Sequence, residues 1–401
     1  MIMNHRMSHV LVRASDFRPG DIARLNQILD VAGLGQPLRD PADGQAAGGT
    51  AALINVPLHP DADPLAIEAA VRAAGPGAQG VPALFADRPF SAGTAVGGEF
   101  FFRGAGKKSG HGLGWVPAPA GEMPQAPARN ENGPHPVIAL LDSGVQRHEW
   151  FGADHGASFV QDADGLDHWS SPVPANDPPG PSRPIGTHWG HGTFIAGLLR
   201  QAAPQAKVLS MRLMDSAGSV DCGAVVNALQ WLARPHAALP RIVLMAFGRQ
   251  ASPHDPVLDD LRCAVRALTD RGVTVVASAG NDNSSEPVYP AAFAAEPGIP
   301  VISVGAIVGR HMMAPYTNFG PWVKVGWLGT DIISIHPQTY RNAGGNQIRP
   351  SAIDNPAEPK KADSFAWWSG TSFAAAIVAG GLAAGNSPAL TLPLPPDPDQ
   401  P

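Results

Sequence analysis

Residues 136–145 read Pro-Val-Ile-Ala-Leu-Leu-Asp-Ser-Gly-Val, five apolar side chains in a row halted by the carboxylate of Asp142. An apolar run without polar alternation is the pattern of a strand covered on both faces, as in a parallel sheet. The pattern recurs at KVLSMRL (207–213), IVLMAF (242–247), VTVVAS (273–278) and IPVISVGA (299–306). Between these runs, helices are predicted from about His191, over 224–232, over 257–268 and after Ser372. Strands alternating with helices predict an α/β fold built on a doubly wound, mostly parallel sheet. In such sheets reactive groups gather beyond the carboxyl ends of the strands, where Asp142 stands.

The first 115 residues have a shorter pattern of their own. SHVLVRAS (8–15) and AALINVPLH (51–59) read as strands, and GDIARLNQILDVAGL (20–34) as a helix with Ile22, Leu25, Ile28 and Leu29 on one face. Asp63 is placed to cap a second helix, with Pro64 at its first position and Gly75 beyond its end. The expected organisation is an N-terminal α/β unit (1–115), a Pro-rich linker (116–135), a main domain (136–385) and a Pro-rich disordered tail (386–401).

Composition narrows the partners. The 401 residues are 44% apolar, enough for a sizeable core, and the net charge of −6 with 15% charged residues leaves no basic stripe for nucleic acid or a membrane surface. No run approaches the ~20 apolar residues of a membrane span, and the N-terminal stretch lacks a signal-peptide core, so a cytoplasmic monomer is expected. Two cysteines, Cys222 and Cys263, both in predicted helices, are expected to be free buried thiols.

Four polar residues stand out at the ends of apolar segments. Asp142 closes the first strand, His191 opens a helix in WGHGTFIAGLL, Asn281 follows a strand in VVASAGND, and Ser372 starts a helix in SGTSFAAA (369–376). Each alone has a plainer reading as a turn, cap or core residue. Together they have the types that acyl transfer demands. A serine hydroxyl needs an imidazole to take its proton, the imidazole needs a carboxylate on its other nitrogen, and the oxyanion needs fixed donors. The N–H of Ser372, at a helix start, is an unpaired donor helped by the helix dipole, and the Asn281 amide can be the second.

The order Asp, His, Ser and the blocks DSG, HGT, SAGN and GTSFAA resemble those of the subtilisin-like serine peptidases, the subtilases. The likeness extends through AKVLSMRLMDSAG, MAFG, YPAAF and VISVGA, and so from residue 136 to about 383. It implies Asp142, His191 and Ser372 as a catalytic triad and Asn281 as oxyanion donor. It also implies a groove in which Ala246, Phe247 and Gly248 pair with an extended peptide, Ser278, Ala279 and Gly280 form the opposite wall, and Val288 floors the specificity pocket. The chain departs from the family in having Ala375-Ala376-Ile377 where Ala-Ala-Pro is usual, and Trp327-Leu328-Gly329 for Ala-Pro-Gly. An insertion of roughly twenty residues lies within 336–364, and the chain stops soon after the serine helix.

Asp162, Asp164 and Asp167, spaced around Gly165, suit a structural calcium ion, with a solvated acidic loop as the plainer reading; no cofactor is otherwise required. Of the nine tryptophans, Trp189, Trp367 and Trp368 are expected to be core or groove walls. The expected function is peptide-bond hydrolysis through an acyl-enzyme, acting on an extended peptide or protein; the alternative is an inactive peptide-binding relative. The N-terminal unit is expected to resemble a propeptide or to be an accessory domain, with any cleavage between about residues 104 and 136.

Overall fold

The computed structural model describes residues 9–41, 53–59, 61–74, 82, 84–86, 90–91, 116–118, 124–129, 135–146, 148–151, 159–162, 188, 190–215, 218–234, 239–251, 255–308, 312–336, 340–341, 347–348 and 365–386. The chain begins with β1 (His9–Arg13), α1 (Asp21–Val31), β2 (Leu53–Pro57), α2 (Pro64–Ala74) and β3 (Phe85–Ala86). There follow β4 (Phe90–Ser91), β5 (Val116–Pro117), β6 (Val137–Asp142), β7 (Val160–Asp162), α3 (His191–Ala202), β8 (Lys207–Arg212), β9 (Ser219–Val220) and α4 (Cys222–Leu232). Next come β10 (Ile242–Met245), β11 (Arg249–Gln250), α5 (Pro256–Thr269), β12 (Thr274–Ser278), β13 (Val288–Tyr289), β14 (Val301–Val308), β15 (Met312–Met313) and β16 (Val325–Leu328). The last elements are β17 (Ile332–Ile335), β18 (Tyr340–Arg341), β19 (Gln347–Ile348), β20 (Phe365–Trp368) and α6 (Thr371–Ala383).

These elements form two compact units, the smaller holding residues 1–89, 221–234 and 253–264. Its sheet has the antiparallel order β2-β1-β3. Val10, Val12 and Val56 meet Ile22, Leu25 and Leu29 of α1 and Ile67 and Val71 of α2 in one buried cluster. The alternation of β1 and the helical spacing of α1 dictate this meeting, and each such side chain contributes about 1.5–3 kcal/mol on burial. Asp63 caps α2 as the sequence predicts, its Oδ1 accepting the Leu65 N–H at 2.9 Å. Asn227 of α4 exchanges side-chain bonds with the Leu53 backbone at 3.3 and 3.2 Å, and Arg13 Nε donates to Asp260 of α5 at 3.1 Å. Burial raises the Asp260 carboxyl above its usual range, and Arg13 opposes the shift.

The larger unit is built on an eight-stranded sheet of order β15-β14-β12-β10-β6-β8-β7, with β16 also on β14. All its ladders are parallel except that of β15. The chain leaves β6 for the edge strand β7, returns through α3 to β8 between the two, and resumes with β10 on the other side of β6. Strand order therefore diverges at β6, and a crevice opens at the carboxyl ends there. Helix α6, apolar on every side, lies against β12, β14, β16 and α3. A methyl group at Gly380 would come within 2.6 Å of Ala202 Cβ, which measures how closely α3 and α6 approach.

Two sequence expectations differ from the structure, at the end of β10 and at Cys263. Within 116–135, the described residues 116–118, 124–129 and 135 include several that bond to the larger unit. β5 pairs with β20, Arg129 donates to the Pro204 and Ala206 carbonyls, and Arg200 donates to the Pro127 carbonyl. The strand over 242–247 ends at Met245, because the Ala246 carbonyl is taken by a side chain from α6. Cys222 is buried, but Cys263 is exposed, since Val257, Leu258, Leu261, Ala264, Val265 and Leu268 take the buried stripe of α5. Asp164, Asp167, Trp189 and the Pro-rich tail beyond residue 386 lie outside the described residues.

Candidate active site

Asp142 is the last residue of β6 and is fully buried. Both its carboxylate oxygens face Nδ1 of His191, at 2.9 and 3.0 Å. A carboxylate on that nitrogen fixes the ring's tautomer, leaving Nε2 as the acceptor. The small residues beside the pair explain its two sequence blocks. A methyl group at Gly192 would lie 2.4 Å from the Gly144 carbonyl oxygen and 3.0 Å from Asp142 Oδ1, so only glycine lets α3 start against the end of β6. Ser143 Oγ accepts the Gly192 N–H at 3.0 Å, and Thr193 Oγ1 accepts the Gln146 N–H at 2.9 Å. DSG and HGT are thus the two halves of one interlocked turn.

Ser372 is the second residue of α6, where the N–H groups of the first turn have no helical acceptor. Its own N–H has no acceptor among the described residues. Its Oγ donates to the Ala246 carbonyl at 3.0 Å, and no hydrogen bond joins it to His191. The next residue, Phe373, sets its ring 5.5 Å from that of His191, which places the start of α6 beside the imidazole. Asn281, just beyond β12, is 4% exposed. Its Oδ1 accepts from the Thr371 N–H at 2.8 Å and the Thr371 hydroxyl at 2.9 Å, which fixes the orientation of the side-chain amide. Thr371 Oγ1 also accepts the Gly280 N–H at 3.1 Å.

Trp368, the last residue of β20 and 2% exposed, backs the histidine. Its ring lies 5.6 Å from His191 at 84°, 5.5 Å from Phe194 and 5.2 Å from Phe373. His188, missed in the sequence, is also in this cluster, 5.6 Å from His191. Ala246 and Phe247 are buried where the chain leaves β10, and Ser278 and Ala279 are buried at the end of β12, followed by Gly280 with φ +100°. Val288 is 4% exposed and packs on Gly248, where a methyl group would meet its Cγ1 at 2.4 Å. Thr371, Asn318 and Asp282 were also missed by the sequence. Burial pushes the Asp282 carboxyl above the usual range, against a hydrogen bond from Asn318. Of the three residues suited to calcium, Asp162 ends β7 and the others are outside the described residues.

The departures from the family pattern leave this geometry in place. Gly329 of Trp327-Leu328-Gly329 accepts the Gly370 N–H at 2.8 Å, and α6 runs unbroken through Ile377.

The doubly wound sheet thus carries a buried Asp-His pair and a serine at a helix start, all at the carboxyl ends of its strands. A profile of the Subtilase family matches residues 133–389, and the chain belongs to that family. It is 25% identical over 256 residues to Subtilisin Savinase of Lederbergia lenta, covering 61% of this chain and 83% of that one. It is 25% identical over 256 residues to Alkaline protease of Alkalihalobacillus alcalophilus, 61% of this chain, but spans only 59% of that protein's length. Among solved structures, fervidolysin from Fervidobacterium pennivorans, a keratinolytic enzyme related to subtilisin, matches with a TM-score of 0.55 at 17% identity. That match covers 97% of this chain and 57% of that one, a likeness of fold. Among the described residues no helix is long and apolar enough to cross a membrane.

Proposed function

We propose that this chain is a serine endopeptidase that cleaves extended peptides through an acyl-enzyme. The observation that carries the reading is the buried His191 held by both oxygens of Asp142, beside a serine at the N-terminus of α6. With substrate bound, Ser372 Oγ turns from the Ala246 carbonyl to His191 Nε2, gives up its proton and attacks the peptide carbonyl. Catalytic hydrogen bonds of this kind commonly form only in the substrate complex. The oxyanion is met by the Ser372 N–H and the Asn281 amide, His191 protonates the leaving amine, and water then releases the acyl group by the reverse sequence. A panel of quenched fluorescent peptides tests the reading. Cleavage that a sulfonyl fluoride abolishes supports it, and a fully folded protein that cleaves none points to the inactive peptide-binding alternative.

The pocket for the residue before the cleaved bond is proposed to be shallow. Val288, packed on Gly248, occupies space that a glycine would leave open, and forcing extra carbons into a filled site costs about 1–3 kcal/mol. Peptides with Ala or Ser at that position should be cleaved about 10- to 200-fold better than those with Phe. Val288→Gly should raise kcat/KM on Phe and Leu peptides and leave Ala peptides nearly unchanged. A parent that already prefers Phe would show that Val288 is not the floor.

The N-terminal unit is proposed to act as a propeptide. Just beyond the smaller unit, β4 pairs Phe90–Ser91 antiparallel with β9 in a two-stranded ribbon, main-chain pairing of the kind an extended peptide makes. The turn before β9 touches His188, where a methyl group at Gly218 would come within 2.5 Å of Nδ1. Beyond it, β5 is paired to β20 and its neighbour Ala118 donates to the Phe365 carbonyl at 3.0 Å, which protects the backbone there from cleavage. Self-processing should therefore fall between residues 92 and 115, a narrower window that overlaps the sequence expectation. Intact mass spectrometry should find a chain beginning in that interval, with the Ser372→Ala form full length. An active preparation with the uncut mass would make the unit a permanent accessory domain.

A further inference from the structure

We propose that Asn318 is the positioning residue of the oxyanion site, holding the loop that presents Asn281. This rests on the peptidase reading above and assigns a role to a residue that carries none of the chemistry.

Asn318 is fully buried and lies 37 positions beyond Asn281 in YTNFG (316–320). Its bonds straddle the oxyanion residue. Before Asn281, its backbone N–H donates to the Gly280 carbonyl at 3.0 Å and its Nδ2 to the Ala279 carbonyl at 2.9 Å. After Asn281, its Oδ1 accepts the N–H groups of Asp282 at 2.9 Å and Ser284 at 3.1 Å. One amide side chain thus satisfies backbone groups on both flanks of the loop, which leaves the sheet after the Ala279 N–H makes its last bond to the Val304 carbonyl at 2.8 Å.

The fit admits nothing larger. Gly280 has φ +100°, and a methyl group there would lie 2.4 Å from Asn318 Nδ2. A second lock comes from α6, where Thr371 holds Asn281 Oδ1 by two bonds. Asn318 sets the backbone and Thr371 sets the rotation of the amide, so the Asn281 nitrogen has one direction in which to donate. An oxyanion donor is worth what its preorganisation is worth, and a misplacement of about 1 Å can cost about 100-fold in rate.

A double-mutant cycle tests this in the full chain. Asn318→Ala should lower kcat about 10- to 100-fold with KM within about twofold, because the donor acts on the transition state. In an Asn281→Ala background the same substitution should lower kcat less than about threefold, since the group it positions is gone. Equal losses in both backgrounds, or an unchanged kcat, would overturn the proposal. Should the alanine variant not fold, Asn318→Asp keeps the acceptor for Asp282 and Ser284 and loses the donor to Ala279, and the same cycle applies. Hydrogen exchange gives a readout independent of turnover. The Asp282 and Ser284 amides should exchange at least about tenfold faster in the variant than in the parent. Unchanged exchange overturns the positioning role, whereas a parent that hydrolyses no peptide while exchange behaves as expected overturns only the peptidase reading.

Discussion

Ser372→Ala should stop peptide hydrolysis while the protein folds as before. The hydroxyl is the proposed nucleophile, and removing the nucleophile of a triad costs about 10⁶-fold in turnover, a scale set by a subtilisin. The structural cost is small by comparison. Among the described residues the Ser372 side chain makes one hydrogen bond, to the Ala246 carbonyl, worth about 0.5–1.5 kcal/mol, and alanine is the better helix former. Peptide turnover and thermal unfolding measured on one preparation separate the two effects. A variant that cleaves as fast as the parent would remove Ser372 from the chemistry.

Trp368→Ala should cost about 3–5 kcal/mol of stability, the range for emptying the site of a large buried aromatic ring. In a domain of this size that lowers the unfolding temperature by roughly 6–20 °C. The ring is 2% exposed and touches His188, His191, Phe194, His336 and Phe373, so no neighbour is free to collapse into the space without moving the histidine. Trp367, alternate on the same strand and only partly buried, is the control. Its alanine variant should lose less than half as much. Calorimetry of the two variants checks this, and equal losses would mean that the cluster behind His191 does not anchor the domain.

What the sequence made legible follows from where chemistry meets regular structure. Asp142, Asn281 and Ser372 each abut an apolar run whose period declares a strand or a helix, so their place at the sheet's carboxyl edge could be inferred. Trp368 could be called a core or wall residue, but not the backing of His191, because β17 and β5, which fix its strand, are short and carry little periodicity. β5 is two residues within a proline-rich stretch and finds its partner about 250 positions away, a pairing that local pattern does not encode. Asn318 and Thr371 were overlooked for another reason. Asn in a turn and Thr at a helix start are what local propensity provides anyway, and only their bonds to residues 279–284 set them apart. The exposed Cys263 was misread because one cysteine on an amphipathic helix sits as readily at its border as in its stripe.

In the proposed mechanism Asp142, His191 and Ser372 work as one nucleophilic unit. A fluorophosphonate probe reports this directly, because it bonds covalently to a serine only when a neighbouring base activates the hydroxyl. The measurement is labelling of the purified chain, located by peptide mass spectrometry, in the parent and in His191→Ala and Ser372→Ala. One adduct, on Ser372, is expected in the parent and none in either variant. Labelling of Ser372 that persists at the parent's rate without His191, or a folded and processed parent that takes up no probe, would contradict it.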